Sequence, residues 1–433
     1  MTQKTTVVGA LLIFVIGALS IASTAQSSAI DIKPLVLTGQ AVPGGNGALF
    51  TGLGRPSINR FGVVAFRGEL TGSEASYDSF KGNLIPDGIF VATNNSLSRI
   101  VGFGDLVPGT STSFTSFGDP IIDDQGNVAF VARVGAGFEN QRIFLHMAKS
   151  MLTIAQTGVT APGTGGNFKA LGQHGLALNK AETIAFVATF DGPSAGEGIF
   201  AYSNGMLTPV VLHGQPAPNG QGQVFDQILG LAMNDAGQIA FAASLASKPG
   251  AQGSGVFIAS GGQIKVGHLA DPVPAGGGST FLNLGEPSIN EVGDVAFVES
   301  SESHTRGTLS VPRGVAITAS GATSIVSASR QPTHPSDPVI SGNFKRPIIV
   351  RGSDGTNTAL FLASAQTVNR NALWLYQHNV LSPILQEGDP SVVGGIHSLI
   401  GQATLSPSGY LVFVSNLKGT TARAGIFITK IKL

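Results

Sequence analysis

The sequence predicts an all-β fold: a seven-bladed β-propeller of four-stranded blades, with the ring closed by the N-terminal strand completing the last blade. Three observations lead to this prediction. A short phrase recurs in seven copies, each copy divides into four short apolar segments separated by turn residues, and the two chain ends hold complementary parts of one copy. Four-stranded units that repeat at a period of roughly 40 to 50 residues or more are typical of propeller blades.

The recurring phrase is an apolar run followed by Asn-x-x-Gly and, after two further residues, by Ala-Phe. Six copies keep or vary it, at residues 59–66, 123–130, 179–186, 234–241, 290–297 and 406–413. Successive copies begin 64, 56, 55, 56 and 116 residues apart. The last interval holds two copies, and residues 345–350 supply the apolar run of a degenerate sixth copy.

Each copy accounts for four strands in order. The first strand leads into the Asn-x-x-Gly turn, where Asn can close the turn with its own side chain and Gly tolerates a positive φ. The second carries the Ala-Phe pair, as in 63–66, the third reads Gly-Ile-Phe, as in 88–90, and the fourth follows, as in 97–101. A Gly/Pro-rich connection leads to the next copy, and no stretch shows sustained helical periodicity.

The chain ends complete each other. The seventh copy stops after its third strand, at 425–428, and residues 32–37 form a fourth strand without a copy of its own. Pairing these two would close the ring and leave no end sheet exposed. An open solenoid and two stacked domains are the alternatives. The predicted blades span approximately 44–105, 106–158, 159–214, 215–270, 271–328, 329–387, and 388–433 plus 30–38.

Residues 1–25 have the pattern of an export signal. Lys4 is followed by an apolar stretch at 7–21 and a small-residue site at 23–25. An uncleaved membrane anchor is the alternative, although the apolar stretch is short for a span. We therefore expect residues 26–433 to be a single propeller domain, secreted or periplasmic, with no stable membrane span after signal cleavage.

Charge and cysteine content narrow the function. The chain has 25 basic and 25 acidic residues, and only 12% of its residues are charged. This balance offers no electrostatic surface for nucleic acid, so no nucleic-acid partner is expected. Cysteine is absent, so stability must come from core burial and ring closure rather than from disulfides.

The repeated phrase resembles that of a group of secreted bacterial proteins known by their tandem NxxGxxAF repeats. The resemblance covers nearly all of the chain after residue 25 and departs at Glu182, Ser406, Val412 and throughout the sixth copy. It implies export and a repeat architecture. It implies no activity, because that group is functionally uncharacterised. The pattern of first strand, turn and second strand is also similar, in a general way, to the repeats of periplasmic TolB-type propellers.

No motif predicts catalytic residues. None of the eight histidines has metal-binding spacing, and no EF-hand loop, P-loop or Gly-x-Ser-x-Gly sequence occurs. No cofactor and no metal site is predicted. A divalent cation could still bind the carboxylates of three matching connections, those of Asp105, Asp271 and Asp389.

The position four residues before each turn Asn is expected to lie near the central channel. Around the ring it reads Arg55, Asp119, Gly175, Gly230, Glu286, Arg346 and Gln402. One interpretation is two salt bridges, Arg55 with Asp119 and Glu286 with Arg346, that brace the channel mouth. The other is a ligand-binding site at that mouth. Its candidate residues are Arg55, Asp119, His174, Glu286, Arg346 and Gln402.

Three functions follow from this sequence. The favoured one is an exported, non-enzymatic binding or scaffold propeller, whose partner is a protein, an envelope component or a small polar ligand at the channel mouth. The alternative is an extracytoplasmic hydrolase or lyase at the channel entrance, with Asp119 and Glu286 as a carboxylate pair and Arg55 or Arg346 stabilising negative charge. The third is a purely structural protein with a filled channel.

Overall fold

The computed structural model describes residues 30–71, 86–137, 139–148, 150–218, 222–246, 252–269, 280–302, 313–328, 340–365 and 370–433. Regular structure in these residues is β-strand, and seven sheets form a seven-bladed propeller, which confirms the predicted fold. The proposed export signal at 1–25 lies outside the described residues. No helix long and apolar enough to traverse a bilayer is found in the described part of the chain.

The strands are numbered in chain order, and β1 (Lys33–Leu37) precedes blade 1. Blade 1 contains β2 (Phe50–Leu53), β3 (Ser57–Ile58), β4 (Val64–Leu70), β5 (Asp87–Thr93) and β6 (Ser96–Gly102). Blade 2 contains β7 (Phe114–Phe117), β8 (Ile121–Ile122), β9 (Val128–Val134), β10 (Gln141–Met147) and β11 (Ser150–Gln156). Blade 3 contains β12 (Thr160–Ala161), β13 (Gly166–Leu178), β14 (Ile184–Phe190), β15 (Gly196–Ser203) and β16 (Met206–Leu212).

Blade 4 contains β17 (Val224–Met233), β18 (Ile239–Ala246), β19 (Gln252–Ser260) and β20 (Gln263–Leu269). Blade 5 contains β21 (Thr280–Leu284), β22 (Ser288–Ile289), β23 (Val295–Glu302), β24 (Arg313–Ala319) and β25 (Ala322–Ala328). Blade 6 contains β26 (Ile340–Arg351), β27 (Asn357–Ala365), β28 (Arg370–Gln377) and β29 (Val380–Gln386). Blade 7 contains β30 (Ile396–Leu405), β31 (Tyr410–Lys418) and β32 (Ala424–Lys430), with β1 as its outer strand.

The ring is closed through β1, as the sequence predicted. β1 pairs antiparallel with β32, from Lys33 opposite Ile428 to Leu37 opposite Gly425. The Thr38 hydroxyl strengthens this junction, because it accepts hydrogen bonds from the backbone N–H groups of Arg423 (2.8 Å) and Ala424 (3.0 Å). The architecture is therefore a closed ring and not an open solenoid.

Pairs of aromatic rings form the core of the blades. In six blades the second-strand Phe lies opposite an aromatic residue of the third strand, and in five of them the two rings stack. Their centroids lie 5.6 Å apart for Phe66 and Phe90, 5.6 Å for Phe130 and Phe144, 5.9 Å for Phe186 and Phe200, 5.4 Å for Phe241 and Phe257, and 5.5 Å for Phe413 and Phe427. In blade 5 Phe297 lies opposite Ala316, and in blade 6 Phe361 lies opposite Trp374. Aromatic pairs stabilise a core beyond the area they bury.

The turn asparagine has a second role, which the sequence did not predict. In blade 4 the Asn234 side-chain carbonyl accepts the N–H of Gln238 at 3.0 Å, which closes the turn. Its Nδ2 donates to the backbone carbonyl of Asn290 in blade 5 at 2.9 Å. Asn59 makes the same bond to Asp123 (3.0 Å), and Asn179 makes a longer one to Asn234 (3.5 Å). These asparagines are buried, so each links its own turn to the next blade.

Blade 2 shows what replaces this link when the turn residue cannot donate. Its turn begins with Asp123, which is buried, and burial raises the pKa of this carboxyl group. The Asp123 carboxylate still accepts the backbone N–H groups of Gln125 and Asn127 and so closes the turn. The Asn127 side chain supplies the missing donor, because its Nδ2 lies 2.9 Å from Asp123 Oδ2 and 3.5 Å from Glu182 Oε1 of blade 3.

We predict that Asn234→Asp lowers the free energy of unfolding by about 1–3 kcal/mol, because it replaces the Nδ2 donor by an oxygen that faces the buried carbonyl of Asn290, which keeps only the Gly293 N–H at 3.1 Å. Denaturant unfolding of the variant and the wild type measures this. Asn95→Asp is the matched control, since Asn95 lies in an exposed turn and its substitution should change stability by less than about 0.5 kcal/mol. Equal effects of the two substitutions would show that the link between blades contributes nothing.

One histidine occupies a core position that other blades give to phenylalanine. His397 stands in blade 7 where Phe50, Phe114 and Phe225 stand in theirs: it packs edge-on against the third-strand Phe427, with ring centroids 5.0 Å apart. Its side chain is 1% exposed and its Nδ1 lies 2.9 Å from Ser415 Oγ. Burial lowers the pKa of His397, and Asp389 opposes this shift.

His397→Phe should make stability less sensitive to acid. The folded protein holds His397 neutral, whereas the unfolded chain protonates it near its ordinary pKa of about 6.5. The contribution of the neutral ring to stability is therefore present above that pH and is lost as the pH falls below it. Denaturant unfolding at about pH 7.5 and about pH 5.5 should show a smaller loss for the variant than for the wild type. Equal losses in both proteins would contradict this account.

Candidate functional site

The innermost strand of every blade is interrupted at the level that the sequence singled out. Arg55, Asp119 and Glu286 lie in gaps between two short strands, β2 and β3, β7 and β8, and β21 and β22. In the other four blades the pairing register shifts at this level. The residues there are Gly175, Gly230, Arg346 and Gln402. The interrupted pairing lets these residues leave the strand and face the channel.

The channel contains a cavity of about 840 Å³. Five of the six candidate residues line it, and together they form what we call the channel mouth: Arg55, Asp119, His174, Glu286 and Arg346. Solvent reaches this end, because the side chains of Asp119 and His174 are 43% and 46% exposed. Gln402 is exposed and is not among the residues that line the cavity in the described part of the chain.

The opposite end of the channel is spanned by an ion-pair network that we call the channel floor (Arg60, Asp124, Lys180 and Asp235). Arg60 of blade 1 contacts Asp124 of blade 2 (Nε to Oδ2, 2.6 Å) and Asp235 of blade 4 (Nη2 to Oδ2, 3.5 Å). Lys180 of blade 3 reaches the same Asp235 oxygen at 3.6 Å. Because blades 1 and 4 lie on opposite sides of the ring, the Arg60 side chain crosses the channel.

Apolar side chains line the channel between mouth and floor, and we call this stretch the shaft. Eight of them are only partly buried and therefore expose surface to the cavity: Ile121, Val131, Leu176, Leu231, Ala232, Met233, Ile289 and Ile348. The cavity thus has a charged mouth, an apolar wall and, at its other end, a floor of four charged side chains that are paired with one another.

Glu286 and Arg346 form the salt bridge that the sequence proposed. Arg346 Nη2 donates to Glu286 Oε1 at 2.7 Å, and its Nε contacts Oε2, so the pair is bidentate. Gly230 leaves the space for it, because a Cβ atom at that position would lie 2.6 Å from Glu286 Cγ. Arg346 itself has a φ of 34°, a conformation that strains a residue with a side chain.

Arg55 and Asp119 are arranged differently from the proposed pair. The backbone N–H of Arg55 donates to Asp119 Oδ1 at 3.2 Å, and the guanidinium nearest to this carboxylate is that of Arg67, at 3.9 Å. Arg67 also contacts Asp87 (3.2 Å) and Glu69 (3.0 Å). Among the residues that the structure describes, no ion pair joins the Arg55 guanidinium to a carboxylate, and this part of the prediction was wrong.

Charges interact across the mouth without touching. Burial raises the pKa of Glu286, and the positive charges of Arg55 and His174 oppose this shift. Burial lowers the pKa of Arg55, against the influence of Glu286 and Asp119. Arg55, His174 and Glu286 belong to blades 1, 3 and 5, so side chains of three blades influence one another at this level of the channel.

The two carboxylates proposed as a catalytic pair, those of Asp119 and Glu286, both contact other groups of the protein. Both oxygens of Glu286 contact Arg346, and Asp119 Oδ1 accepts the Arg55 N–H. Burial raises the pKa of Asp119, while Arg67 and Arg55 lower it. A general base needs a lone pair directed at the substrate proton, and Glu286 has both of its oxygens engaged by Arg346.

The connections that we considered for a divalent cation use their carboxylates in turns. Asp105 Oδ2 accepts the backbone N–H of Gly102, and Asp389 Oδ2 that of Gln386, both at 2.8 Å. Asp271 lies outside the described residues. Within the described ranges, no three His, Asp or Glu side chains come together as a metal-binding group.

The channel floor was missed at the sequence level, although a signal for it exists. Its four residues each follow the first residue of a turn, and the same position in blade 5 holds Glu291. Reading this position around the ring gives Arg, Asp, Lys, Asp and Glu in the first five blades. Alternating charges at one level of a propeller predict an ion-pair network across the channel.

We predict that Arg346→Gly gives a more stable protein than Arg346→Ala, by about 1 kcal/mol, because both remove the ion pair but only Gly tolerates the positive φ. Denaturant unfolding of both variants measures the difference. At the neighbouring Lys345, which lies in the same strand, the order should reverse, since Ala is better than Gly in an ordinary strand. If Ala were also the more stable residue at position 346, the strain would be disproved.

Several solved structures share the fold. The β-propeller domain of the Trilobed protease from Pyrococcus furiosus is 11% identical, with a TM-score of 0.52 over 88% of this chain and 95% of that chain. That domain is described as having an open velcro topology, whereas β1 closes the ring here. The polysaccharide lyase Uly1 is 8% identical, with a TM-score of 0.49 over 93% of this chain and 98% of that chain. At these identities the likeness shows the fold alone.

No curated protein matches this sequence significantly. A family described as a family of unknown function, DUF7453, matches it twice, over residues 79–261 and 248–430. The two matches follow one another along the ring, and each spans about three blades. The chain belongs to the DUF7453 family.

Proposed function

We propose that this protein is a non-enzymatic binding propeller, which takes a small ligand with a polar head into its central channel through the mouth. The observation that carries the proposal is the make-up of the cavity: about 840 Å³, lined at the mouth by charged side chains and spanned at the other end by charges that are paired with one another. Small-molecule sites commonly have volumes of about 300–1,000 Å³ with a few polar groups in an apolar wall.

Arg55 is the group that a ligand would satisfy. Its guanidinium is half-buried in the cavity wall, and the described residues offer it no ion pair. A guanidinium has five N–H donors, and burying them without a partner is costly. Two further arginines near the mouth have carboxylate partners: Arg346 holds Glu286, and Arg67 is shared among three acids. Arg133, which also lines the cavity, is engaged as well.

The proposal includes export, and with it membership in the group of secreted tandem NxxGxxAF-repeat proteins. Residues 1–25 support export through their charged start, apolar stretch and small-residue site. A scaffold role for a macromolecular partner would use the same mouth. The hydrolase or lyase alternative is less favoured, because Glu286 is held by Arg346 at both oxygens.

Thermal unfolding tests the binding role. The panel contains amino acids and dipeptides, sugars and oligosaccharides, small organic acids and divalent cations. A ligand present at about one hundred times its Kd adds about 2.7 kcal/mol to stability and should raise the Tm measurably. We expect at least one compound to do so, and we expect Arg55→Gln to abolish the shift.

Arg99→Gln is the matched control, because Arg99 lies on the outer strand β6 and pairs with Asp105. It should leave any ligand-dependent shift unchanged. A shift that survives Arg55→Gln, or a panel in which no compound raises the Tm, would contradict a small-molecule site at the mouth. Product formation from a bound compound, lost in Glu286→Gln, would instead support the enzyme alternative.

A further inference from the structure

We propose that the ligand is an apolar amino acid or short apolar peptide with free termini. Its carboxylate pairs with Arg55, its ammonium group with Asp119, and its apolar side chains occupy the shaft. This inference rests on the proposed function, a ligand in the channel, and adds the chemical class of that ligand.

The carboxylate is assigned to Arg55 by geometry and charge. The Arg55 guanidinium faces the cavity from blade 1 and lacks an ion pair among the described residues, although Glu286 and Asp119 act on it from a distance. A planar guanidinium binds a carboxylate through two parallel N–H donors. A ligand carboxylate would therefore satisfy donors that the protein leaves open.

The ammonium group is assigned to Asp119, beside Arg55. The Asp119 side chain is 43% exposed, and Arg67 Nε stands 3.9 Å away, beyond hydrogen-bond distance. Only Oδ1 has a hydrogen-bond partner given by the described residues, the Arg55 N–H at 3.2 Å. Arg67 is the one cation shared by Asp119, Asp87 and Glu69. Among the described residues, Asp119 thus shares the cation nearest to its carboxylate with two other acids, and its Oδ2 is available to a positively charged group of the ligand.

A ligand with only negative charge fits less well. Asp119 and Glu286 both act on Arg55, so a sulfated or phosphorylated ligand would meet two acidic side chains as it reached the guanidinium. One positive and one negative group, held close together, match the neighbouring Arg55 and Asp119. The free termini of an amino acid or short peptide supply that pair of charges.

The shaft selects the rest of the ligand. Its eight partly exposed side chains are aliphatic or methionine, and below them the floor charges are paired with one another. Burying apolar ligand surface here is favourable, at about 25 cal/mol per Å². Sugar binding commonly uses exposed aromatic faces, and Phe117, the one phenylalanine among the described lining residues, is buried.

Isothermal titration with leucyl-leucine and three matched compounds tests the assignment. N-acetyl-leucyl-leucine lacks the ammonium group, leucyl-leucinamide lacks the carboxylate, and glycyl-glycine lacks the apolar side chains. We expect leucyl-leucine to bind one site per chain, and each of the other three to bind at least about tenfold more weakly, as loss of a single well-placed interaction requires.

Two variants locate the charges. In Arg55→Gln the preference for leucyl-leucine over its amide should disappear, and in Asp119→Asn the preference over the N-acetyl compound should disappear. Arg99→Gln should keep both preferences. Each preference is a ratio of two affinities measured on the same variant, so a variant that is merely less stable does not imitate the expected result. The comparison of the four compounds on the wild-type protein tests the assignment without any variant.

Two results would overturn the inference. Equal binding of leucyl-leucine and its blocked derivatives would show that the termini are not recognised. No binding of leucyl-leucine, combined with an Arg55-dependent Tm shift by a sugar or organic acid, would refute the ligand class and leave the channel site standing. No binding of leucyl-leucine and no Arg55-dependent shift by any compound would refute both the ligand class and the proposed function.

Discussion

The buried asparagine side chain at the start of the repeated turn is the interaction on which the ring depends. Its carbonyl closes a tight turn at the inner end of a blade, and its amide donates to the backbone of the next blade, as Asn234 does to Asn290. One residue type thereby sets both the local turn and the position of the neighbour. The bond is worth most where water is excluded, because a buried carbonyl without a donor is costly. Stacked phenylalanines fill five of the blades, and Asn59, Asn179 and Asn234 fix blades 1, 3 and 4 relative to the blades that follow them.

The turn fixes the asparagine but not the residues before and after it. These residues differ from blade to blade, and they form the candidate site. Directly after the turn asparagine, charged residues of opposite sign meet across the ring and form the floor. Four residues before it, interrupted strands expose arginines, acids and glycines at the mouth. Gly230 provides room for Glu286, and Arg346 adopts a strained backbone to hold it. Strain of this kind is retained where the surrounding structure enforces it, often at functional sites.

Much of the fold could be predicted from the sequence, because repetition reveals it. The spacing of the Asn-x-x-Gly phrase gave the number of blades, and the incomplete copies at the two ends predicted the pairing of β1 with β32. The position before the turn was also identified, since charges are rare in this chain. The partner of each charge was not predictable, because it depends on side-chain reach: Arg67, on the adjacent strand β4, lies closer to the Asp119 carboxylate than the Arg55 guanidinium does.

Three further features, the link between blades, the buried His397 and the channel floor, were not predicted from the sequence, each for a physical reason. The link between blades looked like an ordinary turn residue, since an Asn that closes a turn and an Asn that also donates to a neighbour have the same sequence pattern. His397 could be recognised only by aligning its strand with Phe50 and Phe114, a position that the turn motif does not mark. The floor could be predicted only by comparing the repeats at one further position, the residue directly after the turn asparagine.

A crystal structure of the protein with leucyl-leucine tests the central claim most directly, namely that the repeats build the scaffold and their differences build the site. The account predicts the dipeptide in the channel, with its carboxylate on Arg55, its ammonium group on Asp119 and its side chains between Leu176 and Met233. Electron density for the dipeptide on the surface formed by the Asn-x-x-Gly turns or on the outer strands, with the channel free of it, would contradict the account.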